Sequence, residues 1–463
     1  MREVVSVGAG PVDGLDRAGY RVTTLELDEV PPLDVRVSPG NLETSYRLYR
    51  FLEGRRCEAV VFGDIGANGY CSARAKQLGL AFPDTRIVVR WQSPLQWRAE
   101  RSFRASLSKD EVRQIVCERL AFELADTVIV NRAELDWIKR QAWELEGGVF
   151  PDDPDGWRKA LESPLVRGRQ TDERPPVTVV VPHYDRAELL PRCLEGLAAQ
   201  TYPALEVIVV DDGSPSAEAR AALAAVEQRS WPWPLRVLRR DNAGADAARN
   251  TGWRAAAHDL VVFIDDDDVP FDNLVESLVE TRAYAGADVV AAGIRTFPPT
   301  GRPEPRPGDV VGIFLARPYE FGLIANQYGG PVCLWPKQLL QRVDGFRHAE
   351  RLQEDGEILV RATLAGAKIV AVPRPLYWNR LTPDGRYGAS RSALREGWPA
   401  VVGRLYAEQL PGNLRLAPLL VGGAFAELEQ ERSAPPAWAA RVILRTRGVL
   451  GRLRRAAAAL LTS

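Results

Sequence analysis

The chain has few of the residues that usually anchor metal or thiol chemistry. Three histidines, His183, His258 and His348, are spread over 463 residues, so histidine-centred catalysis has few candidates. Five cysteines, Cys57, Cys71, Cys117, Cys193 and Cys333, are scattered, odd in number and form no CxxC pair. That pattern excludes a disulfide framework and a cysteine zinc site, and it fits a reducing compartment. No apolar run approaches the roughly 18 residues that span a bilayer. The opening MREVVSVGAG reaches Asp13 without the apolar core of a signal peptide. A net charge of −1 argues against a general nucleic-acid binder. The expected location is cytoplasmic.

What is present is an ordinary apolar content of 46%, enough for a sizeable core. The length leaves room for about three domains at roughly 150 residues each. Three blocks and a linker emerge. Residues 1–150 alternate strands such as REVVSV, AVVFGD, RIVVRW and DTVIV with helical segments. That alternation predicts a parallel α/β layer. Residues 151–172, rich in Pro, Asp and Arg, read as a linker with a short helix. Residues 173–395 open on the β-branched strand Val177–Val181, and LEVIVVDDGS, LRVLRR and LVVFIDDDD follow with helical segments between them. Such spacing predicts a doubly wound sheet. Residues 396–463 read as helical, and Trp438 to Leu461 carries six arginines and no acid. That tail is a candidate for an anionic membrane surface, or for packing on the protein with its arginines solvated.

The most informative stretch is FIDDDDVP, Phe263 to Pro270. Adjacent carboxylates at a strand end repel one another. A hard divalent cation offsets that repulsion, and Mg²⁺ typically takes one or two carboxylates plus the phosphates of a substrate. A solvated acidic turn capping the next helix is the plain alternative. In an open parallel sheet, ligands bind outside the carboxyl ends of the strands. Those ends here carry Pro182-His183-Tyr184-Asp185, then Asp211-Asp212-Gly213-Ser214, then Asp265, Asp266, Asp267 and Asp268. Tyr184 is suited to stacking on a base, Asp212 to accepting a base N–H, and the acidic run to holding a metal on a diphosphate. Arg249, in the loop-to-helix segment NAGADAARNTG, is a candidate for a phosphate or for an ion pair with the acidic loops. The combination describes a nucleoside-diphosphate site.

In order, VVVPHYDR, LEGLAAQTYPALEVIVVDDGS, NAGADAARNTG, VVFIDDDD, GFR and EDGEILVRATLAG resemble the inverting nucleotide-sugar glycosyltransferases of family 2. The resemblance spans roughly 177–380 and rests on several ordered motifs. It implies an A-type glycosyltransferase fold, a doubly wound and mostly parallel α/β sheet. By resemblance, Pro182, Tyr184, Asp212, Arg249, Asp265 and Asp266 bind the nucleotide-sugar, and Asp265-x-Asp267 is the DxD motif. Asp267 is then the direct metal ligand, with Asp265 beside it, for Mn²⁺ or Mg²⁺. Glu354-Asp355 matches the ED motif, with Asp355 as catalytic base; a helix N-terminal acid is the alternative reading. Asp185 stands where the family has Asn, and the DxD is extended to four acids. Glu354, Trp335, Trp378 and Arg380 are candidate acceptor or diphosphate contacts.

The first block resembles the N-terminal, acceptor-binding half of B-type glycosyltransferases through Glu118 to Ile138 and RCEAVVFGD. This implies a Rossmann-like α/β half-domain before the catalytic domain. The expected activity is metal-dependent, inverting transfer from a nucleoside-diphosphate sugar to a hydroxyl of a cell-surface glycan, lipid-linked saccharide or other glycoconjugate. No QxxRW motif follows Asp355, which argues against processive polysaccharide synthesis. A nucleotidyltransferase or sugar-phosphate transferase would also use metal and carboxylates. A degenerate sugar-binding scaffold is the non-enzymatic alternative.

Overall fold

A computed structural model describes residues 2–9, 12, 15, 19–102, 108–141, 143–165, 173–298, 301, 303–316, 326–347 and 354–381. The chain divides into two compact units, Met1–Gln170 with Arg306–Gly308, and Thr171–Pro305 with Asp309–Ser463. The expected helical region 396–463 and its arginines lie outside the described residues.

The first unit holds a six-stranded sheet. Its strands are β1 (Arg2–Val7), β2 (Tyr20–Leu25), β3 (Ala59–Gly63), β4 (Arg86–Arg90), β5 (Thr127–Val130) and β6 (Gly148–Pro151). They run in the order β2-β1-β3-β4-β5-β6, every pair parallel. Continuous apolar runs such as AVVFG are buried throughout, as a sheet covered on both faces requires. The Lys109–Leu124 helix starts at a capping box in which Ser108 and Glu111 each accept from the other's backbone N–H.

The expected linker is corrected here. Pro151 ends β6, and the expected short helix, Pro154–Glu162, belongs to the first unit rather than to a connection between units. Asp153 caps that helix by accepting from Gly156 N, and a proline stands in its first turn. Trp157 is buried in the core with Val4, Val61 and Ile129, and its indole donates to Asp152 Oδ1 at 2.9 Å. Composition signalled a linker because the loop residues Pro151, Asp152, Asp153 and Pro154 are all capping or strand-end residues.

The second unit begins with four parallel strands, β7 (Val177–His183), β8 (Leu205–Asp211), β9 (Leu235–Arg239) and β10 (Leu260–Phe263). Their order is β9-β8-β7-β10. The chain winds outward from β7 to β9, then crosses back to place β10 on the other side of β7. The carboxyl ends of β7 and β10 therefore flank a topological switch point, where such sheets bind ligands. Beyond β10 the sheet becomes mixed. The strand β14 (Cys333–Pro336) runs antiparallel to β10 and to β12 (Val289–Phe297), and β13 (Val310–Gly312) runs antiparallel to β12. The long β15 (Ile369–Arg380) pairs parallel with β12 and antiparallel with the short β11 (Val269–Pro270). No helix among the described residues is long and apolar enough to cross a membrane.

Candidate active site

The four acids after β10 are held by three arginine or asparagine side chains and a histidine, with Arg186 shared by Asp266 and Asp267. Asp265 Oδ1 accepts from Arg249 Nη2 at 2.8 Å. Asp266 is buried, with Oδ2 2.7 Å from His183 Nδ1 and Oδ1 2.7 Å from Arg186 Nη1. Asp267 Oδ2 lies 3.0 Å from the same Arg186 nitrogen. Asp268 is buried, and its Oδ1 accepts from Asn379 Nδ2 and from Arg380 N. Burial, reinforced by Asp265 and Asp266 and opposed by Arg186, pushes the Asp267 carboxyl up to about 6. Burial and the charges of Asp267 and Asp265 raise Asp268 further. Burial and like charge both favour the protonated form of these two groups, and Arg186 opposes it at Asp267.

Arg249 is the hub of the site. It sits on the helix Ala245–Ala255, is 3% exposed, and faces three carboxylates. Besides Asp265, it reaches Asp246 Oδ1 at 3.2 Å and Asp355 Oδ1 at 3.6 Å. Burial works against its charge, but Asp265, Asp355 and Asp246 outweigh that and hold it protonated. Its guanidinium carbon also lies 5.4 Å from the Phe346 ring centroid.

Asp355 stands in the first turn of the helix Glu354–Leu364. That helix is fixed by a buried pair, Arg361 to Glu357, with Nε–Oε1 and Nη2–Oε2 both at 2.7 Å. Arg361 also donates to the carbonyls of Val343 and Gly345. The GFR turn is tied to the Arg249 helix, because Asn250 donates to Phe346 O and accepts from Phe346 N. Gly345 has φ +57, and a Cβ there would fall 2.3 Å from Asn250 Oδ1. The glycine permits both the left-handed turn and the close approach. The Glu354 side chain lies outside the described residues.

The remaining expected residues fall into two groups. Tyr184, 45% exposed, follows the end of β7 with its ring available to a ligand. Pro182 is buried within β7. The Asp212 carboxylate accepts from Ala243 N and from Gly244 N, the latter at 2.6 Å, and pairs with Arg240 Nε at 3.1 Å. It thus shapes the loop that enters the Arg249 helix. Asp185 adopts φ +54, a conformation Asp tolerates, and its Oδ1 accepts from Ser216 N. Its carboxylate thereby holds the loop after β8.

Two aromatic candidates are corrected. Trp335 is 1% exposed in β14 and packs in the core with Phe263 and Val261, so it offers no face to an acceptor. Trp378 is also buried, 5.5 Å from the Phe271 ring and 6.3 Å from Phe297, with Arg295 over its own ring. Tyr377, next to it in β15, is also buried in the core. Arg380 lies over the Phe297 ring, and its backbone N–H serves Asp268. The residues that sequence reasoning missed are Arg186 and Asn379, and the structural part of His183. Arg186 directly follows the Tyr184-Asp185 pair, which is the one signal that pointed to it.

Residues 178–348 match the family model described as glycosyl transferase family 2. Among curated proteins, glycosyltransferase GlyG of Streptococcus pneumoniae is 35% identical over 115 residues, 25% of this chain and 37% of its own. Glycosyltransferase GlyA of the same organism is 32% identical over 121 residues, 26% of this chain and 17% of its own. Glycosyltransferase AglE of Haloferax volcanii is 34% identical over 135 residues, 28% of this chain and 43% of its own. The chain thus spans less than half the length of each of these three relatives. Among solved structures, S. aureus TarS 1–349 in complex with UDP-GlcNAc aligns with a TM-score of 0.40 and 22% identity, covering 54% of this chain and 72% of that one. The mannosyltransferase PcManGT of Pyrobaculum calidifontis, in complex with GDP-Man and Mn2+, aligns with a TM-score of 0.38 and 21% identity, covering 66% and 84%. The similarity to glycosyl transferase family 2 is thus carried by residues 178–348.

Proposed function

We propose that the chain is a metal-dependent, inverting glycosyltransferase that moves a sugar from a nucleoside diphosphate to a hydroxyl group of a glycan or lipid-linked acceptor. One observation carries this reading. Arg249 holds Asp265, from the acidic run after β10, and Asp355, from a separate helix, within 2.8 and 3.6 Å of one guanidinium. A donor-side carboxylate and a candidate base therefore flank one point at the switch-point edge.

Among the described residues, no three His, Cys, Asp or Glu side chains form a metal site by themselves. The donor chemistry nonetheless fits a hard cation completed by substrate, because Mg²⁺ commonly takes one or two carboxylates and draws the rest from phosphates and water. Asp267 is the residue that fits best, with Asp265 beside it. Asp266 and Asp268 have their oxygens directed to His183, Arg186, Asn379 and Arg380 N. A bound divalent cation supplies positive charge against the diphosphate as it leaves.

Tyr184 stacks on the base and the acidic edge receives the diphosphate. Asp355 takes the proton from the attacking hydroxyl. The new bond forms at the anomeric carbon on the face opposite the diphosphate, the old carbon–oxygen bond breaks, and its electron pair leaves with the phosphate. A single displacement of that kind inverts the centre. The first unit serves the acceptor; its parallel sheet reverses winding between β1 and β3, an edge suited to a ligand.

Titration calorimetry with UDP and GDP, with and without Mn²⁺, tests the donor site. The expected result is Mn²⁺-dependent binding of one of them by the wild type and its loss in Asp267→Asn. Equal binding by the variant contradicts the assignment.

A further inference from the structure

We propose that Arg186 is a resident counter-cation of the acidic edge, which hands Asp267 to the metal and passes to the diphosphate. The inference rests on the donor site proposed above and adds a positioning residue to it. One nitrogen of Arg186, Nη1, bridges Asp266 at 2.7 Å and Asp267 at 3.0 Å. The two contacts are not equivalent. Asp266 is also held from the other side by His183 Nδ1 at 2.7 Å, and both the Asp266 and His183 side chains are almost fully buried. Its geometry therefore survives departure of the arginine. Asp267 is 16% exposed, and Arg186 is its ion-pair partner among the described residues.

Arg186 itself can move. Its side chain is 48% exposed, in contrast to Arg249 at 4%, and it follows β7 in the segment with Tyr184. The acidic edge thus has one fixed cation and one exchangeable cation. A divalent ion arriving at Asp267 must replace the guanidinium there. The displaced guanidinium remains beside the edge, with planar donors matched to phosphate oxygens. The arrangement keeps the carboxylates neutralised before the donor binds. It also couples metal entry to the release of a phosphate-binding group. Four consecutive acids are tolerated because His183 and Arg186 share the second of them, while Arg249 takes the first and Asn379 the fourth.

The test compares wild type with Arg186→Met and Arg186→Lys, using Mn²⁺ alone and then UDP or GDP at saturating Mn²⁺, by calorimetry and Mn²⁺ electron paramagnetic resonance. With the competing guanidinium removed, Arg186→Met should bind Mn²⁺ alone about threefold more tightly. A lost charged hydrogen bond predicts that its nucleoside-diphosphate affinity with Mn²⁺ falls about tenfold or more. Arg186→Lys should restore the wild-type Mn²⁺ affinity and recover only part of the nucleotide affinity. Opposite shifts in the two affinities support the inference. Weaker or unchanged Mn²⁺ binding by a folded Arg186→Met overturns the exchange, and unchanged nucleotide binding overturns the transfer to the diphosphate. If the wild type binds neither Mn²⁺ nor nucleotide, the donor site itself fails and the exchange falls with it.

Discussion

Arg249 Nη2 lies 2.8 Å from Asp265 Oδ1, and the guanidinium side of this pair is buried. The same guanidinium also faces Asp246 and Asp355, so it supports three carboxylates at once. Removing one partner of a buried pair leaves uncompensated charge and typically costs about 3–5 kcal/mol. Arg249→Met should therefore lower the free energy of unfolding by that order in a denaturant titration. Arg249→Lys should restore only part, because one ammonium cannot serve three carboxylates in the planar geometry of Arg. A loss below about 1 kcal/mol would contradict the structural role.

Asp355→Asn keeps the shape of the side chain and cannot take a proton. Turnover should fall by about 10² or more while nucleotide affinity persists. Steady-state kinetics beside calorimetry on the same preparation checks this. Near-normal turnover would move the base elsewhere.

Asp267 gives the acidic edge a pH signature. Its carboxyl is raised to about 6 by burial first, then by Asp265 and Asp266, against Arg186. An unfolded Asp releases its proton near 3.9, so between the two values the folded state holds a proton that the unfolded state has lost. Stability then falls as pH rises from about 4 to about 6. Asp267→Asn should remove about 1–2 kcal/mol of that decline, read from unfolding free energies at pH 4 and pH 7. An unchanged pH dependence would contradict the burial of this group.

The first unit carries a similar group. Burial first, and then Glu118, raise Asp64 to about 7, although the N–H groups of Gln92 and Ser93 oppose the shift. Its contribution has the same sign, with stability declining from about pH 4 to about pH 7. Asp64→Asn retains an acceptor oxygen and should flatten that part of the curve in the isolated first-unit transition. A variant with an undiminished slope would assign the decline to other groups.

Separating the two units tests their division of labour. A chain beginning at Asp172 contains the whole edge from Tyr184 to Asp355, so it should bind Mn²⁺ and nucleoside diphosphate with affinity like the full chain. It should lose transfer to the native acceptor. A folded truncation that binds no nucleotide would contradict the assignment of the donor site to the second unit. Full transfer activity would show that the first unit does not serve the acceptor.

Much of the frame was legible because parallel strands advertise themselves. Val177–Val181 and Leu205–Val210 are apolar but for Thr178 and Glu206, and both are buried. The acids at the ends of β7, β8 and β10 could be placed on one edge from topology alone. Which partner each acid would take was not legible. Asp266 meets His183 across 83 positions of sequence, and Asn379 meets Asp268 across 111. Asp212, expected at a base, also accepts the N–H groups of Ala243 and Gly244, a contact its sequence context did not show. Trp335 and Trp378 had the composition of sugar platforms, but their strands lie in the interior of a mixed sheet. The short run Cys333 to Pro336 gave no sign that it would insert antiparallel between β10 and β12.

The central claim is single-displacement glycosyl transfer at the edge shared by Asp267 and Asp355. The most direct measurement incubates the protein and Mn²⁺ with a panel of nucleoside-diphosphate sugars, assays the phosphate product, and follows the first-formed anomer by proton NMR. The account predicts release of nucleoside diphosphate and an anomeric configuration inverted relative to the donor. Release of pyrophosphate, or a first-formed product with retained configuration, would contradict it.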